Sequence, residues 1–378
     1  MRQSFALTST YSSDTFGVCS ALYELGGMVV IHDASGCNST YTTHDEPRWY
    51  DMDSMIYISA LSQNETILGK DEKLIEDIRE TAAKLHPKFI AIVGAPVPYM
   101  VGTDYKAIAY LLEKELHVPC FGFDTNGMRY YTRGVRDALK AVAKRLVPEP
   151  AAGCRREVRG GRAGEGGRTR VNILGATPLD MGMTGTVGSL KRWLNERGME
   201  CVSCFAMGDS LEDIARAGGA DVSLVVSYGG LAAARVLEER FGIPYVCGLP
   251  FDGALMAKEL GDAKTCSVIG EQIYSLSLAR ALADEGVTAD VLCPLDRAKN
   301  RSLVDPSIRL IPVPEEDDVI READKAEAVI ADPLYRTVCT NTRLIELPHI
   351  GFSGRIFETE IPDMIGKGDW LEEKIKNA

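Results

Sequence analysis

From residue 85 onward the chain repeats one unit: a short apolar run rich in β-formers, a Gly or Pro break, then an amphipathic stretch of helical length. "FIAIVGAP" (89–96) leads into "DYKAIAYLLEKEL" (104–116), and "VPCFGFD" (118–124) into "TRGVRDALKAVAKRL" (132–146). Continuous apolar runs are strands buried on both faces, and parallel strands need a helical crossover, so the alternation predicts parallel α/β layers. In such layers the loops at the carboxyl ends of the strands form the natural binding edge.

The rhythm breaks once, at "VPEPAAGCRREVRGGRAGEGGRTR", where prolines, glycines and arginines replace apolar periodicity. This reads as a flexible linker over 148–170, with Cys154 an exposed, incidental thiol. The pattern then resumes through "VNILGA", "SLKRWLNERG" and "VSLVVSYGG", and again from "CSVIGE" through "TADVLCP" and "AEAVIADP". At 378 residues the chain is longer than one core usually organises. Three Rossmann-like domains are expected: 1–147, 171–260 and 261–378, the last closing in an irregular tail around "LPHIGFSGRIF".

Charge and motifs remove several function classes. A formal net charge of −12 repels phosphate backbones, so nucleic acid is not an expected partner. No apolar run approaches the roughly 20 residues that span a bilayer, and "MRQSFALTSTYSSD" has no apolar signal region; no membrane association and a cytoplasmic location are expected. Gly182-x-x-Gly185-x-x-Gly188 lacks dinucleotide spacing and reads as a tight turn, and no P-loop occurs, so this chain is expected to bind no nucleotide. The five histidines form no i, i+4 pair, and no G-x-S-x-G elbow appears.

Ten cysteines in a reducing compartment read mainly as buried hydrophobes, with a few candidate metal ligands. Cys201-x-x-Cys204 has no second pair and reads as strand thiols, and Cys247, Cys266, Cys293 and Cys339 read as core. Cys19 and Cys37 differ, because they bracket an apolar segment and lie close to glycines in "GVCSAL" and "HDASGC". Two thiolates cannot fill the usual four cysteine positions of an iron–sulfur cluster, but a two-fold dimer brings four to one axis. The alternative is two buried thiols bracketing a strand.

"GVCSAL…VVIHDASGC" resembles the start of the nitrogenase component 1 family, in which glycine-flanked cysteines hold an iron–sulfur cluster. "IAIVGAPVPYMVGTD", "VPCFGFDTNGMRYYTRGVRDAL", "VNILGATPLDMGMTGTVGSLKRWLNERGMECV" and "CSVIGEQIYSLSLARALADEG" extend the resemblance in order along most of the chain. Two departures stand out. Ala95 and Pro96 occupy the place of a third cluster cysteine, and Val226 and Ser227 that of the cofactor-anchoring cysteine, so dinitrogen reduction is not expected. What remains resembles the shorter members of the family, such as those that reduce tetrapyrroles.

The resemblance implies an oxidoreductase holding an iron–sulfur cluster, of the [4Fe–4S] type, shared between two chains through Cys19 and Cys37. It implies a homodimer, or a heterodimer with a related chain, and a separate ATP-hydrolysing iron protein passing low-potential electrons to an unknown substrate. His32, Ser35 and Gly36 are candidate neighbours of the cluster sulfurs, and Asp33, Ser35 or Cys120 candidate extra ligands. Tyr99, Asp104, Asn126 and Arg129, on predicted loop edges, are candidates for the substrate cleft; no catalytic residue is assigned. The rival functions are a scaffold or carrier for metallocofactor assembly, and a nucleotide- or sugar-binding α/β protein without a cluster.

Overall fold

A computed structural model of the chain describes residues 6–34, 46–149, 167–182, 185–298 and 303–378. Ser35, Gly36, Cys37 and Cys154 lie outside the described residues, as does most of the expected linker. Among the described residues, thirteen strands form three sheets in which every strand pairing is parallel.

The first sheet has the order β2-β1-β3-β4, from β1 (Met28–His32), β2 (Ile56–Ile58), β3 (Ile90–Gly94) and β4 (Cys120–Phe123). Side chains alternate across a strand, so β1 and β3 divide their apolar residues between two faces. Met28, Val30, Ile90 and Ile92 meet helices α2 (Glu72–Leu85) and α3 (Tyr105–Leu116) through Leu74, Ile78, Ile108 and Leu112. Val29, Ile31, Ala91 and Val93 join the main core with α1 (Asp14–Leu22) and α4 (Tyr131–Arg145).

Helices α1 and α4 lie in unusually close contact because glycine faces backbone on both sides. A Cβ on Gly17 would stand 2.1 Å from Tyr131 O, and one on Gly134 would stand 1.9 Å from Asp14 O. No side chain fits at either place.

The second sheet has the order β6-β5-β7-β8, from β5 (Thr169–Leu174), β6 (Met199–Phe205), β7 (Val222–Val225) and β8 (Tyr245–Cys247), with helices α5 (Thr186–Glu196) and α6 (Leu231–Phe241). The third is β11-β10-β9-β12-β13, from β9 (Thr265–Ile269), β10 (Thr288–Cys293), β11 (Leu310–Pro312), β12 (Ala328–Ala331) and β13 (Arg343–Glu346), with helices α7 (Gln272–Asp284) and α8 (Glu316–Ala323). Counted within its own unit the third sheet runs 3-2-1-4-5, the doubly wound order. Each sheet reverses direction beside its first strand, and that switch point is where such folds open a crevice. One continuous apolar core, from Tyr11 to Ile375, joins all three sheets.

Two local expectations change. Cys19 sits within helix α1 rather than before a strand, because "DTFGVCSAL" is buried on every side and needs no amphipathic stripe. The chain's last stretch is not irregular: α9 (Asp369–Asn377) carries Leu371 and Ile375 into the core and sets Trp370 against the backbone at Gly248.

Candidate functional site

Cys19 lies at the binding edge of the first sheet, one turn along α1 from Thr15. The Thr15 hydroxyl donates to Gly94 O at 2.6 Å, and the Thr125 hydroxyl bonds the same carbonyl while accepting from Gly94 N–H. These contacts fix the start of α1 against the carboxyl end of β3. The Asp14 carboxylate accepts from the backbone N–H groups of Thr15, Asn126 and Gly127, tying the loop after β4 to the same point.

The Cys19 thiol is wholly buried, and burial, with the nearby Glu46 carboxylate, pushes its pKa far above the ordinary thiol range. Beside it Arg48 is also buried and lies between Glu46 and Glu24, at 2.7 and 2.8 Å. Arg48 further donates to Ser20 O and Ala206 O, and Glu24 accepts from Gly208 N–H, so this ion-paired group fastens the first sheet's unit to the second. Carboxylates and guanidinium are paired in fixed geometry, the condition for charge to persist in a core.

His32 ends β1 on the face opposite Cys19. Its Nδ1 is 2.8 Å from the Ser59 hydroxyl, its ring meets Tyr105 edge-on, and burial lowers its pKa and keeps it neutral. Cys120 packs on that same far face, and at the amino end of β4. Neither is placed to accompany Cys19, since strand alternation sends odd and even positions to opposite sides of the sheet.

A cleft of about 550 Å³ opens where the starts of α1 and α4 meet the loop after β10. Its walls include Ser12, Ser13, Arg129, Tyr130, Arg133 and Asp296. Arg129 donates to Asp124 O at 2.6 Å, and Asn126, buried below the cleft floor at Gly127, accepts from Met128 N–H. Tyr99 and Asp104 are not among the lining residues. Tyr99 is exposed on a short helix, and Asp104 caps α3 by accepting from Lys106 and Ala107 N–H.

The switch points of the second and third sheets meet in a buried polar junction. Asp180, after β5, accepts from the Tyr11 and Thr177 hydroxyls, both at 2.8 Å, and the Ser227 hydroxyl, after β7, donates to Gly175 O at 2.7 Å. Glu271, after β9, accepts from the N–H groups of Tyr228, Ile273 and Tyr274. Burial raises the pKa of both acids, Glu271 to about 8 with Asp180 adding to the effect. Asp332, after β12, accepts from His349 N–H and the Ser353 hydroxyl. Burial lowers His349 to about 4, and since its Nδ1 accepts from Gly351 N–H, the neutral ring carries its proton on Nε2.

Ser227 is packed into this network with no exposed surface. Sequence reasoning missed the junction acids, although Glu271 and Asp332 closely follow predicted strands, the position where switch-point residues stand, and Asp180 lies further along the loop after β5. It also missed Arg48, Glu46, Ser12 and Arg133, for which the sequence offers no periodic or motif signal.

Whether these residues fit an iron–sulfur cluster turns on the donor set. Cys19 supplies one thiol, Cys37 lies outside the described residues, and among the described residues no group of three His, Cys, Asp or Glu could hold a metal ion. Cys201, Cys204, Cys247, Cys266, Cys293 and Cys339 are free thiols away from Cys19 in sequence, and burial raises the pKa of each. The described residues alone do not make a cluster site.

Known proteins share both the sequence pattern and the three-sheet geometry. The chain is 22% identical over 196 residues to the nitrogenase iron-molybdenum cofactor biosynthesis protein NifE of Clostridium pasteurianum, covering 50% of this chain and 38% of the relative. It is 26% identical over 190 residues to one component of the light-independent protochlorophyllide reductase of Nostoc punctiforme, covering 50% and 36%. These curated relatives are thus matched over well under half of their length. Among solved structures, nitrogenase Cp1 at pH 6.5 superposes with a TM-score of 0.68 at 14% identity, over 100% of this chain and 94% of that one, which shows a shared fold. The model for "nitrogenase component 1 type oxidoreductase" matches residues 13–291, most of the chain, and the protein belongs to that family.

Proposed function

We propose that the protein is a nitrogenase-like reductase component in which Cys19 and Cys37 of two chains ligate one [4Fe–4S] cluster at a dimer axis. Electrons come from a separate ATP-hydrolysing iron protein and pass to a substrate in the cleft beside Arg129. The observation that carries this reading is the place of Cys19. It stands on a helix pinned to the carboxyl edge of the first sheet, near enough to Glu46 for that carboxylate to act on its thiol, and in sequence Cys37 falls between the end of β1 and Glu46. The cluster would supply one-electron chemistry when bound. The chain's own residues position α1 through Thr15 and Gly94, exclude water around Cys19, and fix neighbouring charge through Arg48.

Domains at 1–147, 171–260 and 261–378, joined by the 148–170 linker, are proposed with it. Cys19 has no exposed surface within a single chain, so a shared cluster requires the residues over it to open when two chains assemble.

A second reading is a scaffold that holds a cluster or its precursor for delivery, favoured by the similarity to a cofactor biosynthesis protein. Anaerobically purified protein mixed with an iron protein and a metal-free acceptor separates the two. A reductase keeps its iron while its EPR signal is reduced and reoxidised. A scaffold loses iron to the acceptor.

A further inference from the structure

On the far face of the first sheet, away from Cys19, the carboxyl edge gathers acids. Asp33 follows β1 and Asp124 follows β4, while Asp71 and Asp104 stand immediately before α2 and α3, which begin at this edge. Asp104 spends one oxygen capping α3, but the Asp71 side chain makes no capping bond. Burial raises the pKa of Asp71, and the charged groups acting on it, Glu72 and Asp104, are acids that raise it further. Each helix start carries about half a positive charge, so two of them leave four carboxylates in excess. Arg129, 3.9 Å from Asp124, is the cation at the border of the group.

A second, independent observation lies beneath these acids. Tyr105, the first residue of α3, is 4% exposed, and its hydroxyl is sealed from solvent with no hydrogen-bond partner. The hydroxyl overlies the end of β3, since a Cβ on Gly94 would stand 2.4 Å from it, and the neutral His32 ring lies beside it. Asp71, Asp33 and Asp124 all act on this hydroxyl and, with burial, keep its proton in place. Leaving a buried hydroxyl unbonded costs free energy, so the orphan marks the place of a missing partner. A protonated phenol still accepts through its lone pairs, and among carboxylates the donor it suits is a positively charged one. Among the described residues no three His, Cys, Asp or Glu could hold a metal ion. The carboxylates therefore do not share one coordination sphere, and their spread suits the separated charges of an organic cation.

We propose that this edge binds an aliphatic amine with at least two ammonium groups, one between Asp71 and the Tyr105 oxygen and another toward Asp104. Asp104 is exposed and Asp71 half-buried, so the amine meets these first, and the side chains over Tyr105 part to let it reach the hydroxyl. The inference goes beyond the proposed function and rests on neither the cluster nor the cleft beside Arg129.

Calorimetric titration of the full chain with spermidine, 1,4-diaminobutane and magnesium chloride, at fixed ionic strength, tests it. The variants are Asp71→Asn, Tyr105→Phe, which keeps the ring and removes only the hydroxyl, and Glu238→Gln, which removes an exposed acid on α6. Wild type and Glu238→Gln are expected to bind at least one amine equally well. Binding is expected to be about tenfold weaker in Asp71→Asn and measurably weaker in Tyr105→Phe. No amine binding by folded wild type, magnesium binding without amine binding, or an affinity unchanged in Tyr105→Phe overturns the proposal. So does an equal loss in Glu238→Gln, which would mean attraction to the net charge of −12 alone.

Discussion

Arg48 has more consequence for stability than any residue named from the sequence. It is a buried cation held by two carboxylates and by backbone carbonyls of both the first and second sheet units. Removing one member of such a group leaves the others charged without a partner, which costs about 3–5 kcal/mol. Arg48→Met is expected to lower unfolding free energy in urea by that amount, and a loss under about 1 kcal/mol would show that the carboxylates do not depend on it. Sequence reading passed over this residue because "DEPRWY" carries no period or motif, and three of its contacts, to Ser20, Glu24 and Ala206, are far away in the chain. Cys19 was legible because a glycine-flanked cysteine is locally unusual. Its position inside a helix was not, since an all-buried helix and a buried strand look alike when every side chain is apolar or small.

Among the elements, the α1–α4 pair organises both the cluster candidate and the cleft. Gly17→Ala or Gly134→Ala places a methyl group on facing backbone, and neither helix can move without disturbing Thr15 at Gly94 or Asp14 at Gly127. Either change is expected to destabilise the fold by at least about 1–3 kcal/mol, read from the urea midpoint. Equal midpoints for wild type and both variants would mean the helices are not in contact. Most strands from β3 to β12 and the longer helices were legible because their apolar periods are clean, whereas β11 and β13, three and four residues of mixed burial, were not read. The closing helix α9 was not, because its core face is only Leu371 and Ile375 on a charged nine-residue segment. Alternation explains why His32 is separated from Cys19: their spacing in sequence says nothing about which face of the sheet each reaches.

At the scale of the whole molecule, the buried junction makes stability depend on pH in a calculable direction. Glu271 holds its proton to about pH 8 when folded, against an ordinary value of 4.5, so its contribution is lost as pH rises across that range. His349, about 4 when folded against 6.5, acts oppositely between those values. Below about pH 6.5 the two effects oppose each other. Above 6.5 the histidine no longer offsets the buried junction acids, and stability is expected to fall toward pH 8. Urea unfolding at pH 6.5 and 8.0 checks this: wild type should lose stability and Glu271→Gln should not, whereas matching slopes would remove Glu271 as the cause. The three-layer architecture follows from the sequence pattern, while the convergence of switch-point acids depends on how the layers pack and is invisible locally. The central claim concerns Cys19 and Cys37, and iron with acid-labile sulfide, quantified in anaerobically purified wild type, Cys19→Ala and Cys37→Ala, tests it most directly. About four irons per pair of wild-type chains, lost in both variants, is the expected result. Wild type free of iron after anaerobic reconstitution, or iron retained by a folded variant, would contradict it.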